Sequence, residues 1–311
     1  MNRNSLIKHI ELHKSKLGSY SAVARKCNIN PGALSSIMNG KYGANEAQML
    51  QTIAKALNYQ ESSWKLVRTI SNYRKIEQVY NDAKSDSMWF AVSNKAGSGK
   101  TKTMEDLFNR DTTGTVVFIQ AEEWSGRQFL SKLITQTQGE SALQGKGYLS
   151  VAKLTDMVAN YFNDMSLERP VLLIDEADKL RPTALRTLIP IYNRTENRLG
   201  VILSGTENLE KEIKSGVRLH KKGFDELESR FGRTYIHMRG ASEKEVYEIC
   251  AANGVTDRNA QAQVWGDLPK VDRNVEIKTP TGKKNAMMPF ADDFRLLMRL
   301  IKREILMNKA A

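Results

Sequence analysis

From Met88 onward, short unbroken apolar runs alternate with longer stretches whose apolar residues recur every three or four positions. The runs are Met88–Val92, Val116–Ile119, Val171–Ile174 and Val201–Leu203. A run apolar at every position suits a strand buried on both faces, as in parallel sheets. Its alternation with helices predicts an α/β domain. Upstream, the chain reads as short helices, with Ala33, Leu34 and Ile37 on one face and Leu50, Ile53, Ala54 and Leu57 on the next. Trp64, Val67, Ile70 and Tyr73 keep a helical spacing and predict a connecting helix. Beyond about Ala241 helical periodicity returns, and Phe290, Phe294, Leu297, Met298, Ile301 and Ile305 fall on one face of a last helix. Between these, Lys270–Pro289 is rich in Pro, Gly and Lys, with Thr281-Gly282 as a candidate hairpin turn. The expected organisation is an all-α domain over 1–60, a linker helix over 61–85, an α/β core over 86–241 and a helical segment over 242–311.

Hydrophobic residues make up 41% of the 311 and charged ones 26%, which is ordinary globular usage and argues against wholesale disorder. No apolar run approaches the ~20 residues of a membrane helix, and the polar N-terminus lacks a secretory signal. Cys27 and Cys250 lie far apart, and His9, His13, His220 and His237 follow no metal-binding spacing. The net charge of +12 changes the picture more. Residues 1–60 hold eight basic and two acidic side chains, a net +6. Such a chain most often meets a polyanion, usually nucleic acid.

The strongest motif is Asn94-Lys95-Ala96-Gly97-Ser98-Gly99-Lys100-Thr101, placed after a strand and before a helix that opens with Lys102. This is the P-loop arrangement, with Asn94 where the pattern has its first glycine. Glycines let backbone N–H groups close around phosphate, and the helix N-terminus favours the anion. Lys100 supplies a charge for the β/γ-phosphates and Thr101 a hydroxyl for Mg²⁺. Asn at the first position is tolerable because Asn readily visits left-handed backbone. Some seventy residues on, Val171-Leu172-Leu173-Ile174 ends in Asp175-Glu176, the Walker B pattern. Asp175 would hold Mg²⁺ at the sheet's C-terminal edge, and Glu176 would orient and deprotonate the attacking water. After Val201–Leu203, Ser204-Gly205-Thr206 brings a hydroxyl, Thr206, to a strand tip where it can hold that water. Asp175-Glu176-Ala177-Asp178 also spells the helicase DEAD box, but the remaining chain reads as helical and offers no second ATPase-like lobe.

Several segments resemble known families. Leu227-Glu228-Ser229-Arg230-Phe231-Gly232-Arg233 resembles the arginine-finger segment of AAA+ ATPases, which implies that Arg230, or Arg233 as the alternative, completes a neighbouring subunit's site. Asp293-Phe294-Arg295 resembles their lid arginine, implying that Arg295 senses the γ-phosphate. Residues Ser19–Tyr59 resemble the helix-turn-helix of phage repressors: Ser21–Cys27 as first helix, Asn28-Ile29 as turn, Asn30 capping and Pro31 opening the second. That resemblance puts Ser35, Ser36 and Asn39 toward DNA and Arg25, Lys26 and Lys41 on phosphates. With no Arg or Lys to read guanine and no Gln for adenine, weak sequence discrimination is expected. A helix-turn-helix, a linker, one AAA+ core and a helical lid, in this order, is similar to the transposition-target ATPases, the family of the phage Mu B, TnsC and IstB proteins. The resemblance implies ATP and Mg²⁺ as cofactors, double-stranded DNA and a transposase as partners, and ATP-dependent head-to-tail assembly into a helical filament in a bacterial or phage-infected cytoplasm, away from membranes. It further implies core DNA contacts in the Gly-rich loop at Lys146, Tyr148 and Lys153. A replicative helicase loader and a transcription regulator with an ATPase module share parts of this pattern and stay open.

Overall fold

Helix starts in the first fifth of the chain fall where short polar side chains serve orphan backbone donors. The computed structural model describes residues 3–43, 45–57, 59, 64–279 and 282–310. Met1–Lys65 is the first of two units, and its described residues form α1 (Arg3–Leu17), α2 (Tyr20–Lys26), α3 (Pro31–Met38) and α4 (Glu46–Ala56). Ser19 Oγ accepts the Ala22 N–H at 3.1 Å and starts α2. Asn30 Oδ1 accepts the Gly32 N–H at 2.7 Å, and Pro31 opens α3 as its position predicts. Asn28, in the turn between, is left-handed at φ 54°. Leu6, Ile10, Val23, Leu34, Ile37 and Ile53 meet in this unit's core. Each such buried chain contributes roughly 1.5–3 kcal/mol.

Leu66–Ala311 forms the second unit. Its first helix, α5 (Ser71–Asp86), starts later than the expected linker, and Leu66–Ile70 precede it without helix. It is also no free bridge. Tyr73, Ile76, Val79 and Ala83 are buried, and a Cβ on Gly200 would collide with the Ala83 carbonyl. The chain continues through β1 (Trp89–Ser93), α6 (Lys100–Arg110), β2 (Val116–Gln120), α7 (Gly126–Gln138), α8 (Val151–Asp164) and β3 (Val171–Asp175). Then come α9 (Pro182–Leu185), α10 (Leu188–Thr195), β4 (Gly200–Gly205), α11 (Glu207–Arg218), α12 (Phe224–Arg230) and β5 (Tyr235–Ile236). The strands make one parallel sheet in the order β2-β3-β4-β1-β5. Four strands are the apolar runs of the sequence. The fifth, β5, has only two residues, too few to leave a period. The register pairs Val92 with Ser204 and Ile174 with Leu203, so the C-terminal ends of β1, β4 and β3 lie side by side. Open α/β sheets bind ligands at that edge.

The C-terminal part holds α13 (Glu243–Ala252), α14 (Arg258–Asp267), β6 (Val271–Thr279), β7 (Gly282–Phe290) and α15 (Phe294–Ala310). The expected helical segment over 242–311 holds, between its helices, an antiparallel ribbon of β6 and β7, longer than the hairpin turn expected there. Its pairs Val271/Phe290, Arg273/Met288 and Val275/Ala286 set a mostly apolar face at every second position, a pattern that Arg273 on this face and the exposed Met287 off it blur in the sequence. Thr281, half of the expected turn, lies outside the described residues, while Gly282 pairs with Thr279. Phe290 thus ends a strand, and Leu297 and Ile301 carry the buried face of α15. No helix among the described residues is long and apolar enough to cross a membrane.

Candidate nucleotide site

The loop from β1 to α6 takes its shape from two glycines, Gly97 at φ 84° and Gly99 at φ 92°. Asn94, by contrast, is not left-handed, which corrects the reason expected for it. Its N–H donates to the Gly205 carbonyl at 3.3 Å, and its Oδ1 accepts the Met238 N–H at 3.4 Å. Lys100 is buried under the loop. Its Nζ donates to the Asn94 carbonyl at 2.7 Å, the Lys95 carbonyl at 2.9 Å and Ser98 Oγ at 3.2 Å. Burial pulls the Lys100 pKa below the usual lysine value, while Asp175 and Asp178 push it back up. These contacts are made in the loop that would surround phosphate. Thr101, half-buried, follows in the first turn of α6. The exposed Lys95 pairs with Asp292 at 3.2 Å, and Ala96 is exposed. The Lys102 side chain turns to solvent and pairs with Glu105 at 2.6 Å, so it does not join the loop.

Asp175 ends β3 at 1% exposure, and its Oδ2 is buried with no hydrogen-bond partner. A buried, unpaired carboxylate oxygen calls for a cation. A hard carboxylate plus a threonine hydroxyl suits Mg²⁺, which keeps waters and phosphate oxygens as its other ligands. No cluster of three or more His, Cys, Asp or Glu able to hold a metal occurs among the described residues.

Glu176 is left-handed at φ 53°, and its Oε2 accepts from Lys179 Nζ at 2.6 Å. It must leave Lys179 to act on a water. Thr206 differs from expectation. Its hydroxyl donates to Asp178 Oδ2 at 2.6 Å and, as N-cap of α11, accepts the Asn208 N–H at 3.3 Å. It is committed to holding the Walker B turn against α11. Ser204, which the sequence reading passed over, has a buried Oγ with no partner on the strand between β1 and β3. The only signal for it was a hydroxyl closing an apolar run.

Arg295 is exposed in the first turn of α15, which is fixed to the loop. Phe294 N–H donates to the Gly97 carbonyl at 2.9 Å, and a Cβ on Gly97 would meet Asp293 Oδ1 at 2.8 Å and the Arg295 stem at 3.8 Å. The structure therefore brings together Asn94–Thr101 and Asp293–Arg295, and aligns the tips of β3 and β4 beside the loop. Arg230 is held by neighbours of its own subunit: Nη2 donates to Asn193 Oδ1 at 2.8 Å and Glu226 Oε1 at 3.0 Å, and the guanidinium lies 4.4 Å from the Tyr192 ring centre. Arg233 is more exposed, with half its side chain open to solvent, and pairs with Asp225 at 2.8 Å and Glu228 at 3.5 Å.

Of the expected DNA contacts, Arg25, Lys26, Ser35, Asn39 and Lys41 are exposed and Ser36 is half-buried, all in the first unit. Lys146, Tyr148 and Lys153 are exposed in the second. Tyr148 is stacked by a residue the sequence reading missed: the Arg127 guanidinium lies 3.8 Å from its ring centre.

Residues 86–213 match the AAA domain family. The α/β core is an AAA domain. An AAA domain of this kind binds nucleotide, and its parallel five-stranded sheet carries the loop just described. No curated protein matches the chain. Among solved structures, the chain is similar to Cdc6p from Pyrobaculum aerophilum at 12% identity and TM-score 0.45, covering 62% of this chain and 52% of that one. It is similar to the ORC2 protein of Aeropyrum pernix at 17% identity and TM-score 0.42, covering 61% and 52%. A Walker-type ATPase of Pyrococcus abyssi gives 14% identity and TM-score 0.42, covering 66% and 60%. The chain thus spans about half the length of the first two.

Proposed function

We propose that this protein is an ATP-hydrolysing AAA+ protein that assembles head-to-tail on double-stranded DNA and presents the coated DNA to a transposase. One observation carries the ATPase part: a buried Lys100 in a P-loop, beside strand tips that hold the unpartnered Asp175 Oδ2 and Ser204 Oγ. The DNA part is supported by the +12 charge and by the resemblance of the Ser19–Tyr59 helices to a helix-turn-helix. The transposition part is supported by the resemblance of the whole order of segments to transposition-target ATPases.

ATP phosphates enter the loop and draw Lys100 Nζ away from the Asn94 and Lys95 carbonyls. Thr101 and Asp175 would hold Mg²⁺, which when bound would supply charge neutralisation at the phosphates. Ser204 accepts the water that the Thr206 hydroxyl, committed to Asp178, cannot. Glu176, released from Lys179, takes the water's proton as its oxygen bonds to γ-phosphorus and the bond to the bridging β,γ-oxygen breaks, leaving ADP. Arg295 reads the γ-phosphate from the lid. Arg230, or Arg233 in its place, crosses to the next subunit and stabilises the transferring phosphoryl group, which couples hydrolysis to assembly. A head-to-tail interface that does not close generates a helix.

Negative-stain microscopy with long duplex DNA, with and without non-hydrolysable ATP, tests the reading. Helical coats formed only with nucleotide are expected. Isolated particles indifferent to nucleotide would remove assembly from the function, and binding confined to single strands would favour a helicase loader.

A further inference from the structure

Two asparagines connect the P-loop to the segment that leads from β5 into the C-terminal helices. We propose that Asn72 and Asn94 are positioning residues that lock P-loop shape to lid position, so that nucleotide in the loop is transmitted to the lid. The inference rests on the nucleotide-site reading above. Asn72 lies on α5 and is 3% exposed. Its Nδ2 donates to the Ser98 carbonyl at 3.2 Å, and its Oδ1 accepts the Gly240 N–H at 3.1 Å. Two residues earlier, the Met238 N–H donates to Asn94 Oδ1 at 3.4 Å. His237 Nδ1 lies 2.8 Å from the Ser93 carbonyl. The loop and the lid-bound segment are therefore fastened at successive points.

The fastening continues into the lid and returns. Gly240 is left-handed at φ 92°, where a Cβ would meet the Ala291 carbonyl at 2.6 Å. Ala241 and Ala291 exchange backbone hydrogen bonds of 2.8 and 2.9 Å. Phe294, next along, donates its N–H to the Gly97 carbonyl at 2.9 Å. A closed circuit results, from Gly97 and Ser98 through Asn72 to Gly240, across Ala241 and Ala291 to Phe294, and back to Gly97. A carboxamide suits the central position because it carries a donor and an acceptor on one rigid group. The Ser98 carbonyl and the Gly240 N–H are both buried, so neither can exchange Asn72 for water without cost. A phosphate that turns the Ser98 peptide pulls on Asn72, and Asn72 pulls on the lid hinge at Gly240. Asp, though isosteric, keeps the Gly240 contact but sets an acceptor against the Ser98 carbonyl.

The test is amide hydrogen exchange on the full chain, with and without saturating non-hydrolysable ATP and Mg²⁺, for wild type and Asn72→Asp. A fluorescent-ATP titration accompanies it. In wild type, nucleotide should slow exchange together in 94–101, 238–241 and 291–294. In Asn72→Asp the nucleotide Kd should rise about tenfold or more, the effect of losing one buried hydrogen bond. At saturation only 94–101 should slow, with β3 and β4 amides confirming an intact core. Wild-type protection confined to 94–101 would overturn the proposal, and so would coupled protection that survives in Asn72→Asp. If that variant loses its core protection, the wild-type arm decides alone. Absence of any P-loop protection in wild type would instead overturn the nucleotide reading.

Discussion

The loop after β1 and the surface around α3 are both polar, yet they store that polarity differently. At the loop, Asp175 Oδ2 and Ser204 Oγ are buried without partners, and Lys100 satisfies itself on oxygens of its own loop. Around α3, the exposed Ser35, Asn39 and Lys41 face water, and no buried unpartnered side-chain atom occurs among the described residues of Met1–Lys65. A buried orphan costs about 1–3 kcal/mol, so a ligand that satisfies two neighbours at once gains both. Orphans alone do not define a site, since Asn163 Oδ1 is one as well. Two on adjacent strand tips beside a P-loop lysine do. The α3 surface costs nothing when empty, and so its geometry specifies charge rather than a particular ligand.

The largest effect that tests this contrast lies at the loop. Lys100→Ala should abolish ATP binding in calorimetric titration and with it assembly on DNA; retained affinity would show that the loop is not the site. Arg230→Ala should leave nucleotide binding to isolated subunits near wild type and lower DNA-stimulated hydrolysis by about 10³-fold or more, the usual weight of an arginine finger. Mixed subunits decide the geometry. If Arg230 acts in trans, Lys100→Ala supplies the finger and Arg230→Ala the nucleotide site, so a mixture should recover part of the phosphate release. No recovery would assign Arg230 to its present contacts with Glu226, Asn193 and Tyr192, and the same mixture with Arg233→Ala would then test the other arginine.

What the sequence made legible follows from how locally each feature is encoded. Four strands stood out because each is an unbroken apolar run, and the P-loop because its glycines sit where positive φ is needed. The cap at Asn30 was equally local. The ribbon β6–β7 shows in the sequence only as its turn, since charged and amide side chains fill much of both strands and their register exists only across the pair. Thr206 reads as a free hydroxyl because the sequence holds no trace of Asp178, 28 positions earlier, accepting its hydrogen bond. Arg127 escaped notice for the same reason: its partner Tyr148 is brought to it by the fold alone.

Smaller effects belong to the first unit. If Arg25 and Lys41 touch phosphates, replacing both with Ala should weaken DNA binding uniformly across sequences. It should also flatten the dependence of log K on log salt by about 2, near one per lost contact. Sequence-dependent loss in a fluorescence-anisotropy series at several salt concentrations would contradict backbone binding.

The least change comes from Asn30→Ala. Pro31 has no N–H to satisfy, so Gly32 is the first residue of α3 with an orphan donor, and Asn30 Oδ1 accepts it at 2.7 Å. Removing that cap should cost about 1 kcal/mol, a fall of roughly 4–8 °C in the melting of a unit this small. Asn30→Asp should restore it, because a carboxylate caps as well as an amide. Hydrogen exchange should accelerate in α3, with ATP affinity in the absence of DNA at the wild-type value. A cap variant that changed nucleotide affinity would break the contrast, since it would mean that α3 and the P-loop do not store their polarity independently.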